Sequence, residues 1–287
     1  MSIQQKRSKT ENWFRYTLLD NPMFDEPKRG YRKIMRFGRP ARIVILVLFV
    51  VIYLWSILMT ITSGSDVSIF FSYLELILVT LIIPSSIHGA ISAERERATW
   101  DALMLTRLTA GQIIIGKLIW RFRLILALLA LLLVPALLSR TNPDTFDISN
   151  GMLWHAQLMI LAWCLLLCSF GLWVSSSTKR SITSLAVIIG SLIGVLIAVP
   201  ILYDMFCHIS GGGGPGQGDL ISSAMTTFNP FLSLYPMMVP PDSESGLIAG
   251  GLSGWPQIGL YTALSVLFLV FTYWRIIGLE KPVRGRR

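Results

Sequence analysis

Charge is what this chain has least of. Of its 287 residues only 14% are Asp, Glu, Lys or Arg, while 53% are hydrophobic and the mean hydropathy is +0.61. Average soluble domains carry about 25% charged residues. The deficit excludes an ordinary water-soluble globule and points to a membrane protein. Cysteine is scarce too, limited to Cys164, Cys168 and Cys207. The first two sit one helical turn apart in an apolar run, where a thiol behaves as a small hydrophobe. A disulfide framework is therefore not supported. His88, His155 and His208 are scattered, as are Met159, Met237 and Met238. A soft-metal path would need such thiols and thioethers, but a structural core explains them with less. No Ser-His-Asp set, paired carboxylate site or His/Cys metal spacing stands in register. The chain thus reads as no enzyme, with no catalytic, cofactor-binding or metal residue of its own. It also lacks the short apolar core near the start that marks a secretory signal. About forty mostly polar residues come first, so the first long apolar run is the expected membrane-targeting element.

Long apolar runs are what the chain does have. A helix needs about 20 mostly apolar residues to cross a bilayer. Six runs qualify: 43–61, 69–91, 118–138, 153–174, 182–203 and 257–274. The second holds Glu75 and Pro84, and the third opens with Arg121 and Arg123. Lys and Arg collect in cytoplasmic loops. Eleven of the 25 lie between Lys6 and Arg42, six from Arg95 to Arg123, two at Lys179 and Arg180, and five from Arg275 onward. Only Arg140 falls on the other side, which carries Asp66, Asp144, Asp147, Asp204, Asp219, Asp242 and Glu244. This split puts both termini in the cytoplasm and requires an even number of spans. The pI near 9.7 is then mostly topology, and nucleic acid is not an expected partner.

The expected fold is all-α: a polytopic membrane protein of six helices with one long outward loop. Residues 1–42 form a cytoplasmic amino-terminal region, 43–278 the six-span domain, and 279–287 a basic cytoplasmic tail. Within 28–42, Tyr31, Ile34, Met35 and Phe37 interleave with basic residues. That pattern fits a helix lying in the headgroup interface, and a basic flank that happens to carry aromatics is the alternative. The external loop, 204–256, contains Gly211–Gly214 and is rich in Gly, Pro and Ser, as flexible linkers are. Its stretch 220–238 is apolar enough for short helices at the membrane surface.

Between the second and third spans lies a charged amphipathic segment, 93–117. Glu94, Arg95, Glu96 and Arg97 continue the second span beyond the membrane surface. Arg97 stands four positions before Asp101, so opposite charges neighbour one another on a helix. Trp100, Leu103 and Met104 share a face at the i, i+3, i+4 spacing. Thr109-Ala110-Gly111-Gln112 has the form of a capping box: Thr109 caps a new helix and Gln112 reaches back. The pattern spells helix, break at 106–108, helix. This is an elbow projecting charge and apolar surface into the cytoplasm.

The stretch ERERATWDALMLTRLTAGQIIIGKL, from Glu94 to Leu118, resembles the signature of ABC type-2 (type V) exporter permeases. That signature runs roughly E-R-E-x-G-T-x-x-x-L-L-x-T-P-L-s-x-x-x-I-x-x-G-K. The six-span plan, inside termini, interfacial amino-terminal helix and long loop before the last span extend the resemblance over nearly the whole chain. It implies that the elbow holds the coupling helix that contacts a separate ATPase subunit. It also implies that Glu94, Glu96, Thr99, Leu103, Thr106 and Leu108 belong to the coupling motif. Ala98 replaces the usual Gly and Arg107 the usual Pro. Ala is the better helix former, so the first helix of the elbow is expected to run straighter, and Arg107 removes a fixed break.

Gly111-x-x-x-x-Gly116-Lys117 imitates a phosphate-binding loop. However, Leu118 stands where a Mg²⁺-ligating Ser or Thr is needed, and no strand precedes it. ATP and Mg²⁺ are expected on the partner ATPase alone. Glu75 is the acid well inside a span, a costly placement that is a functional-site hypothesis by default. Its carboxyl could be protonated, pair with another helix, line a substrate path, or reach water. Gly190-x-x-x-Gly194 permits close helix approach, within one subunit or between two. Pro84, Pro135 and Pro200 can bend their helices.

The expected function is the permease subunit of an ATP-driven transporter in the cell (inner) membrane, moving its substrate outward. It would work with an ABC ATPase and a second permease copy or a paralogue. Trp100, Leu103 and Met104 would fill a groove in the ATPase or anchor the elbow, and Arg121 and Arg123 would hold lipid phosphates. Two alternatives belong to other classes. One is a membrane anchor or assembly factor that recruits a cytoplasmic partner without transport. The other is an ion-driven carrier, which calls for buried charge or inverted repeats, and of these only Glu75 is present.

Overall fold

The computed structural model describes residues 50–51, 53–54, 57–58, 66–100, 103, 108–138, 150–202, 205, 228–238 and 254–284. The expected interfacial helix within 28–42, most of the run 43–61, and most of the loop 204–256 lie outside these residues. So do Met104, Thr106 and Arg107.

Among the described residues the chain is helical, without strands. Helix α1 spans Asp66–Ile87, α2 Ser92–Glu96, α3 Ala110–Leu138 and α4 Asn150–Ser177. Helix α5, Ser181–Ile193, continues directly into a π-helical turn, Gly194–Ala198. Helix α6 is Pro230–Met238 and α7 Trp255–Arg284. Four helical stretches are long and apolar enough to cross a bilayer: Ile69–Glu96, Leu153–Ser177, Ser181–Leu202 and Trp255–Gly278. They match the second, fourth, fifth and sixth expected spans. The third expected span falls inside the 29-residue α3. Val50, Val51, Tyr53, Leu54, Ile57 and Leu58, from the first, are helical. Tyr53 donates its hydroxyl hydrogen to the Leu131 carbonyl of α3 at 2.8 Å.

Helix α4 is the hub. Helices α7, α1, α6 and α3 all pack along it. Its Leu153, Met159, Ile160 and Leu172 are fully buried, against Leu76, Ile83 and Ile87 of α1 and Tyr261 of α7. Gly171 sets the closest approach. A Cβ there would lie 2.2 Å from Ile87 Cγ2, so only a hydrogen fits between α4 and α1. Small residues permit such close backbone approach in membrane bundles. Polar contacts also join these helices. Trp163 Nε1 donates to Thr80 Oγ1 at 3.0 Å, and the Trp163 and Tyr261 rings lie 5.3 Å apart.

Helix α6 closes the end of the bundle remote from α2. Tyr73 Oη donates to the Phe231 carbonyl at 3.1 Å. Gln257 Nε2 donates to Ser233 Oγ at 2.7 Å and to Tyr261 Oη at 2.9 Å. Asn229 Nδ2 donates to the Leu196 carbonyl in the π-helical turn at 3.0 Å. π-Turns occur mostly as single-turn bulges inside α-helices, and Asn229 supplies this one with a donor from outside its own helix.

Candidate functional site

The site is the elbow, Ser92 to Lys117, and it begins where α1 stops. Three residues past Pro84, the helix ends at Ile87. The backbone N–H of Ile91 would bond to the Ile87 carbonyl if the helix continued. Instead Ile91 and Ser92 both donate to Ser175 Oγ of α4, at 3.0 and 3.1 Å. Ser175 in turn donates to the His88 carbonyl at 2.8 Å. One hydroxyl thus pins the turn between α1 and α2 onto α4. The second span does not simply run on into Glu94, as the charge pattern suggested. It breaks first, because a side chain from another helix takes the donors.

Helix α2 ends by a Schellman motif. The Thr99 N–H bonds the Glu94 carbonyl at 2.9 Å, and the Ala98 N–H bonds the Arg95 carbonyl at 3.2 Å. Such a motif needs a left-handed residue just past the helix end, and Ala98 takes φ 56°. This corrects the expectation that Ala in place of Gly straightens the helix. The two helix-end hydrogen bonds outweigh the cost of a Cβ in that conformation. The next helical turn starts immediately, with Leu103 N–H bonded to the Thr99 carbonyl at 3.1 Å.

The far joint is the expected capping box. The Thr109 N–H donates to Gln112 Oε1 at 2.9 Å, and the Gln112 N–H donates to Thr109 Oγ1 at 3.4 Å. Helix α3 follows from Ala110.

Glu94 turns inward. Its Oε1 lies 2.6 Å from Lys117 Nζ, and the Lys117 side chain is only 2% exposed. Charge-assisted contacts are shorter and stronger than neutral ones, and losing one partner of a buried pair leaves the other charge uncompensated. Lys117, the residue that made the sequence imitate a phosphate loop, is thus a buried structural cation. Arg95 Nη1 donates to the Ser176 and Thr178 carbonyls, both at 3.0 Å. Glu96, exposed, accepts the Ser181 N–H on Oε2 at 3.1 Å. Trp100 is buried in the chain's own core, and its Nε1 has no hydrogen-bond partner among the described residues. Leu103 and Leu108 are half-buried against the same core. Thr99 is exposed and its Oγ1 donates to the Glu94 carbonyl at 3.2 Å. Arg121 donates from Nε to the Ser86 carbonyl and from Nη1 to the Lys117 carbonyl, both at 3.0 Å. It therefore ties α3 to the end of α1, while Arg123 is exposed.

A model of the ABC-2 family transporter protein matches residues 41–276. The chain belongs to the ABC-2 transporter family. It is a multi-pass integral membrane protein, the permease component of an ABC transporter, and such permeases typically pair with an ABC ATPase. No curated protein matches the chain.

In this permease Glu75 stands apart from the elbow. It is fully buried, and Oε2 accepts from Gln157 Nε2 of α4 at 2.7 Å. Its hydrogen bond ties α1 to another helix, α4. Its Oε1, and Ser72 Oγ one turn earlier, have no partner among the described residues. Cys164 and Cys168 are buried free thiols on α4. Among the described residues, no three His, Cys, Asp or Glu cluster to hold a metal ion. Sequence reasoning missed Ser175, Arg95 and Lys117. Of these only Lys117 carried a signal, a cation at the membrane entry of a helix that needs a counter-charge.

Proposed function

We propose that this permease moves its substrate outward using ATP hydrolysed by a separate ABC ATPase, which docks on the elbow. The chain holds six spans with both termini in the cytoplasm, and two copies, or one copy and a paralogue, enclose the path. ATP and Mg²⁺ bind the ATPase, and this chain has no nucleotide site of its own. ATP binding draws two ATPases together and displaces the elbows, and the displacement shifts spans one, two and five to open the path. Thr99, Met104 and Thr106 lie on the receiving arm, while Trp100, buried in the chain's own core and so not available to fill a groove in the ATPase, anchors that arm together with Leu103 and Leu108. Glu94 and Glu96 serve coupling from the elbow's base, and Arg123 reaches lipid phosphates beside Arg121. Glu75, buried with one oxygen unmatched, is the intramembrane residue with a role along the path.

The observation that carries this reading is the construction of the elbow. Both of its joints, the Schellman end at Ala98 and the capping box at Thr109, are built from specific hydrogen bonds. It stands at one end of a membrane bundle of the ABC-2 family. A charged segment held at both ends by such joints is suited to receive work. The test is purification of the full chain in mild detergent with its ATPase, followed by an ATP hydrolysis assay. Met104→Asp with Thr106→Asp should cut ATPase capture at least roughly tenfold, since two charges would enter the receiving arm (each is worth more than the 1.4 kcal/mol of a tenfold step when desolvated). Undiminished capture would overturn the docking assignment. Glu75→Gln keeps the size of the side chain, so normal transport by that variant would remove its charge from the mechanism.

A further inference from the structure

Three consecutive side chains of the five-residue helix α2 reach three different spans. Glu94 pairs with Lys117 of α3 at 2.6 Å. Arg95 holds the carbonyls of Ser176 and Thr178 at the carboxyl end of α4. Glu96 accepts the N–H of Ser181, the first residue of α5.

The last two contacts have a common logic. Helices α4 and α5 are joined by residues 178–180 alone, so two helix ends meet at this corner. A helix carboxyl end leaves carbonyls unpaired and carries partial negative charge, and an amino end leaves N–H groups unpaired and carries partial positive charge. The corner supplies little of its own, for Arg180, the N-cap of α5, makes no side-chain capping bond. Helix α2 provides the complement from outside: a guanidinium for the carbonyls and a carboxylate for the N–H. The packing agrees, since a Cβ on Gly89 would lie 3.0 Å from Ser181 Oγ.

We infer that α2 is a transmission clamp: Glu94 passes movement of the elbow to span three, Arg95 to span four, and Glu96 to span five. The three are positioning residues and act through the helices they hold. The assignment rests on the proposal that an ATPase drives the elbow. It adds that the route divides by side chain, so the branch to span five can be cut while the branch to span three survives. Span five depends on Glu96 most, because it is the least embedded of the candidate spans, with only 6% of an 18-residue stretch of it buried.

The experiment uses the full chain with its bound ATPase in nanodiscs. Cys207→Ser leaves two native cysteines, both buried. Spin labels are placed singly at Ile193→Cys on span five and Leu126→Cys on span three, residues 52% and 41% exposed. The readout is the spectral change on adding MgATP and vanadate. Glu96→Ala should reduce the change at position 193 at least threefold and leave position 126 as it was. Glu96→Gln, which still offers an acceptor, should restore most of it. Glu94→Met paired with Lys117→Met removes both charges together, avoids a stranded buried lysine, and should show the reverse selectivity. Equal losses at both labels, or no loss at position 193, would overturn the clamp. If the parent complex binds ATPase but neither label responds to nucleotide, the ATP-driven reading itself falls, and the clamp with it.

Discussion

Spans four and five are neighbours in sequence and opposites in the bundle. Over an 18-residue stretch of each, the span Leu153–Ser177 is 72% buried and Ser181–Leu202 6%. In a water-soluble protein the more apolar helix would be the inner one. Here the inner helix carries Gln157, Ser169, Gly171, Ser175 and Ser176, and the outer one has the higher mean hydropathy. The inversion follows from the solvent. Lipid tails are as apolar as leucine, so apolar area provides no force toward the interior. Close packing and polar contacts between helices decide which helix is central. Helix α4 has both, in Gly171 against Ile87 and in the hydrogen bonds of Gln157, Trp163 and Ser175. Helix α5 has few, and its one capping partner belongs to α2.

The largest break in this contrast should come from filling the α4–α1 contact. Gly171→Val puts two methyl groups where a single Cβ already lies 2.2 Å from Ile87 Cγ2. The helices must part, at a cost of about 1–3 kcal/mol for such overpacking. Thermal unfolding in detergent should show a lower midpoint, and an unchanged midpoint would mean that the contact is not as close as described.

Removing a polar contact should cost somewhat less. Ser175→Ala strips the acceptor from two buried backbone donors, Ile91 and Ser92. Each unsatisfied donor costs about 1 kcal/mol or more, so about 2 kcal/mol is expected. Since the same hydroxyl shapes the turn before α2, hydrogen exchange should accelerate first at residues 88–92 and not across α4 as a whole. Uniform acceleration would show that Ser175 supports the bundle and not the elbow.

Residue 98 should show a smaller effect of opposite sign. Ala98 holds φ 56°, where a Cβ is strained by about 1–2 kcal/mol and glycine is not. Ala98→Gly should therefore stabilise the protein by about 1 kcal/mol, less what glycine adds to the freedom of the unfolded chain. A loss of stability would mean that Ala98 makes a contact worth more than its strain. This residue also shows where legibility in the sequence ends. The capping box at Thr109 and Gln112 is readable because its partners are three residues apart and belong to one turn. The spans are readable because burial in lipid leaves a compositional mark on every window. Ala98 misleads because helix propensity is a local average, and the Schellman bonds around it prevail over it. The ties of Glu94, Glu75 and Glu96 cross 23, 82 and 85 residues, and nothing local announces them. Lys117 comes nearest, as a cation without a visible partner, yet its sequence context suggests phosphate and not a glutamate from the preceding helix.

The smallest effect on stability is expected where the sequence draws most attention to packing. Gly190 and Gly194 have the spacing that lets helices meet closely, yet a Cβ on either would touch nothing within 4 Å. Close packing inside the subunit is therefore not what these glycines provide among the described residues. Gly190→Val should leave the thermal midpoint of a monomeric preparation within about 0.5 kcal/mol of the parent, as substitutions away from contacts usually do. If α5 faces only lipid, nothing else should change. If α5 meets a second copy, as the proposed path between two permeases requires of some surface, the added bulk at position 190 should lower the fraction of dimer seen by cross-linking or single-molecule photobleaching in nanodiscs. An effect on association without an effect on the fold would place the open face of span five at the subunit boundary. It would also explain why the most apolar of the candidate spans among the described residues is left outside: its packing partner would come from the other copy. An effect on neither would assign that face to lipid and move the boundary to another helix.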